Sequence, residues 1–251
     1  AVKIMGLAHS PKIVTDGLVL CFDAADPKSY SGSGTTWTDR SGNGNNGTLT
    51  NGPTYSTDNE GLLDFDGVND YVVIEGTHND NAWTADNSVG SDILCLEIWF
   101  KGSDGGGRII SKPWNGNGSY NISVYPNIFK LKVGTGVSQA SDPSSSISLP
   151  SINDGQWRHL VVWANSTNMG YYVDGGSSSN SQAHGLTGGI SNYGNSGLPL
   201  GLMTLYFYGG SWTGNTGHAF EGKVAAFRKY NRVLTAAEVL QNYNATKSRF
   251  L

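Results

Sequence analysis

The stretch Asp154–Gly175, DGQWRHLVVWANSTNMGYYVDG, decides the fold class. Asp154 and Gly155 make a turn, and the run from Trp157 to Trp163 behind them has the length and the β-branched and aromatic content of a strand whose alternate residues face opposite ways. A polar break follows, the pattern resumes over Gly170–Val173, and Asp174 and Gly175 end it in another turn. Strands this close leave no room for a crossover helix, so they pair antiparallel.

The same pattern extends in both directions. Strand-like segments recur at Leu18–Phe22, Leu62–Phe65, Tyr71–Ile74, Ile93–Phe100, Arg108–Ser111, Tyr120–Tyr125, Ile128–Val133, Leu202–Tyr208 and Phe220–Tyr230. Clusters of Gly, Asn, Asp and Ser separate them, as in a β-sandwich, without the alternating helices of a parallel sheet. One segment differs: in Leu234–Leu240, LTAAEVL, Thr235 caps a helix whose third residue, Glu238, reaches back in a capping box, which predicts a short helix to about Tyr243. The Ser-rich piece Ser141–Ser146 and the Gly/Ser/Asn tract Gly175–Gly197 read as surface loops. Between Trp37 and Tyr55, WTDRSGNGNNGTLTNGPTY, Gly and Asn predict an ordered loop of successive tight turns.

A chain of 251 residues fits one all-β domain with one core. Its 37% hydrophobic and 11% aromatic content is enough to bury, and 14% charged residues leave a lightly charged surface. With 16 Lys+Arg against 20 Asp+Glu, a net charge of −4 and no basic cluster, nucleic acid is not an expected partner. No apolar run approaches the roughly 20 residues that cross a bilayer, and the apolar patch in AVKIMGLAHSPK is too short for a secretory signal, so neither membrane insertion nor export is expected. Cys21 and Cys95 lie in apolar strand-like runs and are expected as buried thiols rather than a bridge; no Cys/His spacing suggests zinc.

Six landmarks stand in order along the chain: GLVLCFDA, DRSGNGNNGTL, LDFDGVNDYVVI, LCLEIWFKG, DGQWRHLVVW with YYVDG, and FEGKVAAFRKYNRVLTAAEVLQNY. The set resembles the laminin-G-like, concanavalin A-like lectin/glucanase family and spans about residues 15 to 244. The resemblance implies an all-β, two-sheet antiparallel jelly-roll sandwich with one short C-terminal helix, divided into an N-terminal arm, residues 1–14, and the domain, residues 15–251. PKIVTDGLVL, DAADPKSYSGSGTTW and VLQNYNATKSRF further resemble single-domain members among the virion proteins of tailed bacteriophages, particularly of marine bacteria and cyanobacteria. That implies a structural or adhesive part of a particle, as a capsid decoration, knob or tail fibre, assembled in the host cytoplasm. The partners it implies are other virion proteins, a second copy of the chain in a homo-oligomer, and a host surface glycan.

Relatives of this architecture include glycoside hydrolases, which need paired carboxylates. Glu97 is the most tempting acid, but Ile98, Trp99, Phe100 and Lys101 follow it without a second or third acid on the same strand face, so an isolated strand glutamate is the better reading and no enzyme is expected. His78, His159, His184 and His218 accompany no GxSxG or HExxH, and Gly105–Gly107 and Gly188–Gly189 lack a phosphate-loop context. Sugar recognition needs an aromatic ring under a pyranose and short polar groups on its hydroxyls. Two stretches have that composition, Lys112–Tyr120 with Trp114, Asn115 and Asn117, and Gly209–Thr216 with Trp212 and Asn215; covering the core end or a subunit contact is the equal alternative for both tryptophans. Trp157 and Trp163 read as core packing. Some relatives bind calcium, and Asp66, Asn69 and Asp70 would offer oxygens from one turn, although Asx turns explain them more cheaply; no cofactor is required and no metal site is assigned.

Overall fold

A computed structural model describes residues 12–74, 93–102, 107–111, 120–125, 128–134, 144–185, 200–202 and 219–251. The first strands are β1 (Leu18–Asp23), β2 (Thr36–Trp37), β3 (Gly47–Thr50), β4 (Thr54–Ser56), β5 (Leu62–Asp66), β6 (Tyr71–Ile74), β7 (Leu94–Gly102) and β8 (Gly107–Ser111). They continue as β9 (Tyr120–Tyr125), β10 (Ile128–Gly134), β11 (Ser144–Leu149), β12 (Trp157–Ala164), β13 (Asn168–Val173), β14 (Ser178–Ala183), β15 (Leu200–Leu202) and β16 (Glu221–Tyr230). Helix α1 (Ala236–Thr246) follows.

Among the described residues all pairings are antiparallel and form two sheets. The first has the order β14-β13-β12-β7-β16-β5-β4, with β1 also along β16; the second has the order β11-β10-β9-β8-β15-β6-β3-β2. Alternation along the strands fills the space between them: Leu96, Ile98 and Phe100 of β7 and Leu160, Val162 and Ala164 of β12 belong to the main core with Phe22, Trp37, Phe65 and Phe227. Trp37 stacks on Phe22 with ring centroids 4.9 Å apart.

The opposite face of the first sheet is also buried. Cys95, Glu97 and Trp99 of β7 and His159 and Val161 of β12 point outward and are covered by α1 and the chain ends. The predicted capping box is present, Thr235 Oγ1 accepting from Glu238 N while the Glu238 carboxylate accepts from Thr235 N. The helix runs one turn past Tyr243, to Thr246, and turns Val239, Asn242 and Thr246 down onto the sheet. Trp157 and Trp163 lie on this second layer rather than in the main core, Trp157 against Phe250 and Trp163 over the bare Cα of Gly170, where a Cβ would sit 2.6 Å from Cζ2.

Two expected loops contain strands. Ser144–Leu149 is β11 and Ser178–Ala183 is β14, the two end strands on one side of the sandwich. β14 exposes nearly all of its side chains and needs hydrogen bonds from one neighbour only, while β11 turns Ile147 and Leu149 into the core between exposed Ser146 and Ser148. The Trp37–Tyr55 loop likewise carries β3 and runs from the end of β2 into β4. Both cysteines are free and buried, as expected, and burial pushes the Cys95 thiol up to about 12.

Between β2 and β3 the turn-rich loop folds around the buried Asp39. Its Oδ1 accepts from Cys21 N (2.9 Å) and Ser41 N (2.8 Å), and its Oδ2 accepts from Ser41 Oγ (2.7 Å) and Asn45 N (3.1 Å). Ser41, Asn43 and Asn45 side chains all donate to Val19 O. The loop thus supplies β1 with the hydrogen bonds a neighbouring strand would make. Asp39→Ala leaves the Cys21 and Asn45 amides buried without an acceptor and is expected to cost about 2–4 kcal/mol by urea denaturation.

Candidate functional site

Trp114, Asn115, Asn117, Trp212 and Asn215 lie outside the described residues, but the strands that border them are described. β8 ends at Ser111, which pairs with Gly201, and β15 runs the opposite way to Leu202, which pairs with Ile110. The two strands therefore leave the second sheet in opposite directions. The Ser111 end also collects Gly47, Ile74, Tyr120, Gly134, Ser144 and Leu200.

Glu97 is fully buried in a polar cluster beneath α1. Arg228 Nη1 donates to its Oε1 at 2.5 Å, and His159 Nε2 lies 3.2 Å from the same oxygen. Asn242 Nδ2 donates to Oε2 at 2.6 Å, and Tyr230 OH reaches that oxygen at 3.4 Å. A bulge in β16 at Ala225 aims this cluster: Val224 and Phe227 both point into the core, which turns Arg228 and Tyr230 to the outer face. Burial pushes the Glu97 carboxyl up, but the Arg228 charge and the bonds from His159 and Asn242 outweigh it and hold the group well below the usual carboxylate range. Its counterpart Arg228 is pulled down by burial and raised further by Glu97, so both stay charged.

Asn242 joins the cluster to the first described residues, its Oδ1 accepting from Val14 N at 2.7 Å, while Tyr230 OH donates to Val14 O at 3.2 Å. Arg249 in the C-terminal tail bonds Asp23 at 2.9 Å and the Asn59 and Gly61 carbonyls. A carboxylate so enclosed has no access for a glycosidic oxygen or a water, and its nearest charged partner is a guanidinium, which suits cross-linking rather than acid–base exchange. Glu97 was legible as an isolated strand acid, whereas its partners were not. The available signals were an arginine in the apolar run Val224–Tyr230 and an asparagine on the buried side of the helix.

His184 Nε2 contacts Asn165 O at 3.0 Å; His78 and His218 lie outside the described residues. In the FDGVNDY turn the Asx geometry holds: Asp66 Oδ1 accepts from Val68 N (2.8 Å), Asn69 N and Asp70 N, and Asp70 Oδ2 accepts from Asp66 N. The Val68 amide and its neighbours hold Asp66 below its usual range, while burial pushes Asp70 up. Among the described residues no three His, Cys, Asp or Glu side chains are grouped to hold a metal ion.

Sandwich order, antiparallel pairing and the closing helix define a concanavalin A-like jelly roll. Residues 66–240 match the Laminin_G_3 family, described as the concanavalin A-like lectin/glucanases superfamily, and the chain belongs to that family. No curated protein matches it in sequence. Among solved structures it is similar to the binding domain of Paraclostridial Mosquitocidal Protein 1, with a TM-score of 0.60 and 15% identity over 92% of this chain and 52% of that one. It is also similar to the binding domain of botulinum neurotoxin DC in complex with SialylT, with a TM-score of 0.65 and 11% identity over 92% and 52%. A third is a botulinum neurotoxin type C structure, a toxin whose cell entry is described as dependent upon interaction with two ganglioside molecules, with a TM-score of 0.66 and 13% identity over 93% and 52%. The chain thus spans about half the length of these structures, and the likeness is one of fold.

Proposed function

We propose that this chain is a non-catalytic glycan-binding module. The observation that carries the reading is its shared sandwich, over nearly its whole length, with toxin structures described in complex with SialylT and as interacting with gangliosides. The burial of Glu97 supports the absence of catalysis, since the acid that most resembled a hydrolase residue serves the packing of α1. The binding residues of this reading are Trp114 with Asn115 and Asn117, and Trp212 with Asn215. Each tryptophan ring would stack on the apolar face of a sugar while the amides bond its hydroxyls. No cofactor is required in this reading.

A glycan array probed with the wild-type chain, Trp114→Ala and Trp212→Ala tests it. The wild type is expected to bind at least one glycan, and loss of the responsible ring to weaken binding about tenfold, equivalent to about 1.4 kcal/mol. An array without signal for the wild type overturns the reading; equal signals for all three proteins overturn the residue assignment.

A second reading, a structural part of a phage particle, rests on the virion-like sequences at both ends of the domain. In the fold these segments meet each other, Val14 bonding Tyr230 and Asn242, and Lys12 O accepting from Gln241 Nε2 at 2.7 Å. Their shared residues thus close the domain, a role compatible with a virion component and with a glycan-binding module alike.

A further inference from the structure

The two sides of the sandwich end differently. On one side the outermost strands are β4 and β2, three and two residues long, too short to template another chain, and Asp58 and Glu60 stand just beyond β4. On the other side they are β14 and β11, six residues each. Neither Ser178–Ala183, SSNSQA, nor Ser144–Leu149, SSSISL, contains a charged residue, a proline or a glycine.

Natural sheets protect a full-length edge with lysine, proline, a bulge or a covering segment, because its unpaired N–H and C=O groups accept another extended strand. Among the described residues β14 has none of these; its central amide, Ser181 N, donates only to the neighbouring Asn180 Oδ1, at 2.8 Å, a local bond that strand pairing would replace. Its register with β13 is unbroken over all six residues, and Ser179–Ala183 are exposed. β11 flanks it, Gln182 Nε2 donating to Ser146 O at 3.0 Å, so the open side presents two neutral edges together.

We infer that β14 is a self-association edge, where two copies of the chain join strand to strand in antiparallel pairing and merge their first sheets into one. A two-fold axis that makes such a pair stands perpendicular to the sheet and keeps each face on its own side. Residues of like parity then meet, and Asn180 or Ser181 at the strand centre faces its own copy at about 5 Å. Any charge near that centre would oppose itself. An unrelated peptide partner would tolerate or use charges there, whereas the neutrality of every position from Ser178 to Ala183 suits a second copy. Serine hydroxyls and the Asn180 amide can bond across the pair, and the backbone ladder supplies the rest.

The test is the mass of the full chain in solution by light scattering and sedimentation at increasing concentration. The wild type is expected as a dimer. Asn180→Lys with Ser181→Lys places like charges opposite one another in either central register and is expected to raise the dimer dissociation constant at least tenfold, with unchanged far-UV circular dichroism. Asn180→Thr with Ser181→Thr, neutral and β-favouring, is expected to remain dimeric. A monomeric wild type at every concentration overturns the inference, and so does a dimer that survives the lysine pair. Should the lysine pair unfold the chain, amide exchange of the wild type decides: β14 amides slower in concentrated than in dilute solution support the pairing, and equal rates overturn it.

Discussion

Arg228→Met is expected to cost about 3–5 kcal/mol in urea denaturation near neutral pH. The arginine is enclosed with Glu97, and its Nη1 is 2.5 Å from the carboxylate. Removing it strands a buried charge with only His159, Asn242 and Tyr230 around it. Replacing both partners, Glu97→Leu with Arg228→Met, removes charge and counter-charge together and is expected to recover most of the loss, because desolvation of an ion pair consumes much of its attraction. The pH dependence follows in sign. A carboxyl held below its ordinary range when folded contributes stability that is complete above the unfolded value and is lost as pH falls through the folded one. Wild type should therefore weaken in strongly acidic solution through this group, and the double variant should lack that component. A single variant within 1 kcal/mol of wild type would show that Glu97 does not depend on Arg228.

The parts of the fold legible beforehand are those where local pattern and tertiary need agree. Leu96, Ile98 and Phe100 alternate with outward residues as a core strand requires, and Thr235 and Glu238 mark a helix start that the structure shows atom by atom. β14 was not legible because its side chains are almost all exposed and no apolar face reports it, whereas β11 turns Ile147 and Leu149 into the core between exposed Ser146 and Ser148 and was hidden only by its Ser-rich start, which reads as a loop. The turns of Asp39–Asn46 were predicted, but not their purpose, since Val19 O and Cys21 N lie 20 or more residues away from most of their partners. The buried cluster was hidden for a related reason. Its members come from β7, β12, β16 and α1, and the bulge at Ala225 reverses the parity by which Arg228 would have been placed in the core. Of the candidate glycan residues, composition suggested the aromatic and amide types, and all five lie outside the described residues.

Asn242→Asp tests the same cluster from the helix side with almost no change of shape, and is expected to cost about 3–5 kcal/mol at neutral pH. Asn242 donates through Nδ2 to Glu97 Oε2 at 2.6 Å and to Tyr230 OH at 2.9 Å while its Oδ1 accepts from Val14 N. Exchanging the amide nitrogen for oxygen turns the donor to Glu97 into a second acceptor and sets two carboxylates against each other in a buried site. Burial and the like charge of Glu97 would both raise the pKa of the new carboxyl above its unfolded value. The folded state then resists its ionisation, so the penalty is small below the ordinary aspartate range and grows as pH rises toward the raised folded value. The variant should approach the wild type in mildly acidic solution and fall behind it at neutral pH. Asn242→Ala, which removes the donor without adding charge, should cost less and show no such trend. If the Asp and Ala variants lose equal stability at every pH, the site is held by packing of α1 alone, and the polar contacts among Val14, Glu97 and Asn242 contribute nothing to closing the two ends of the domain.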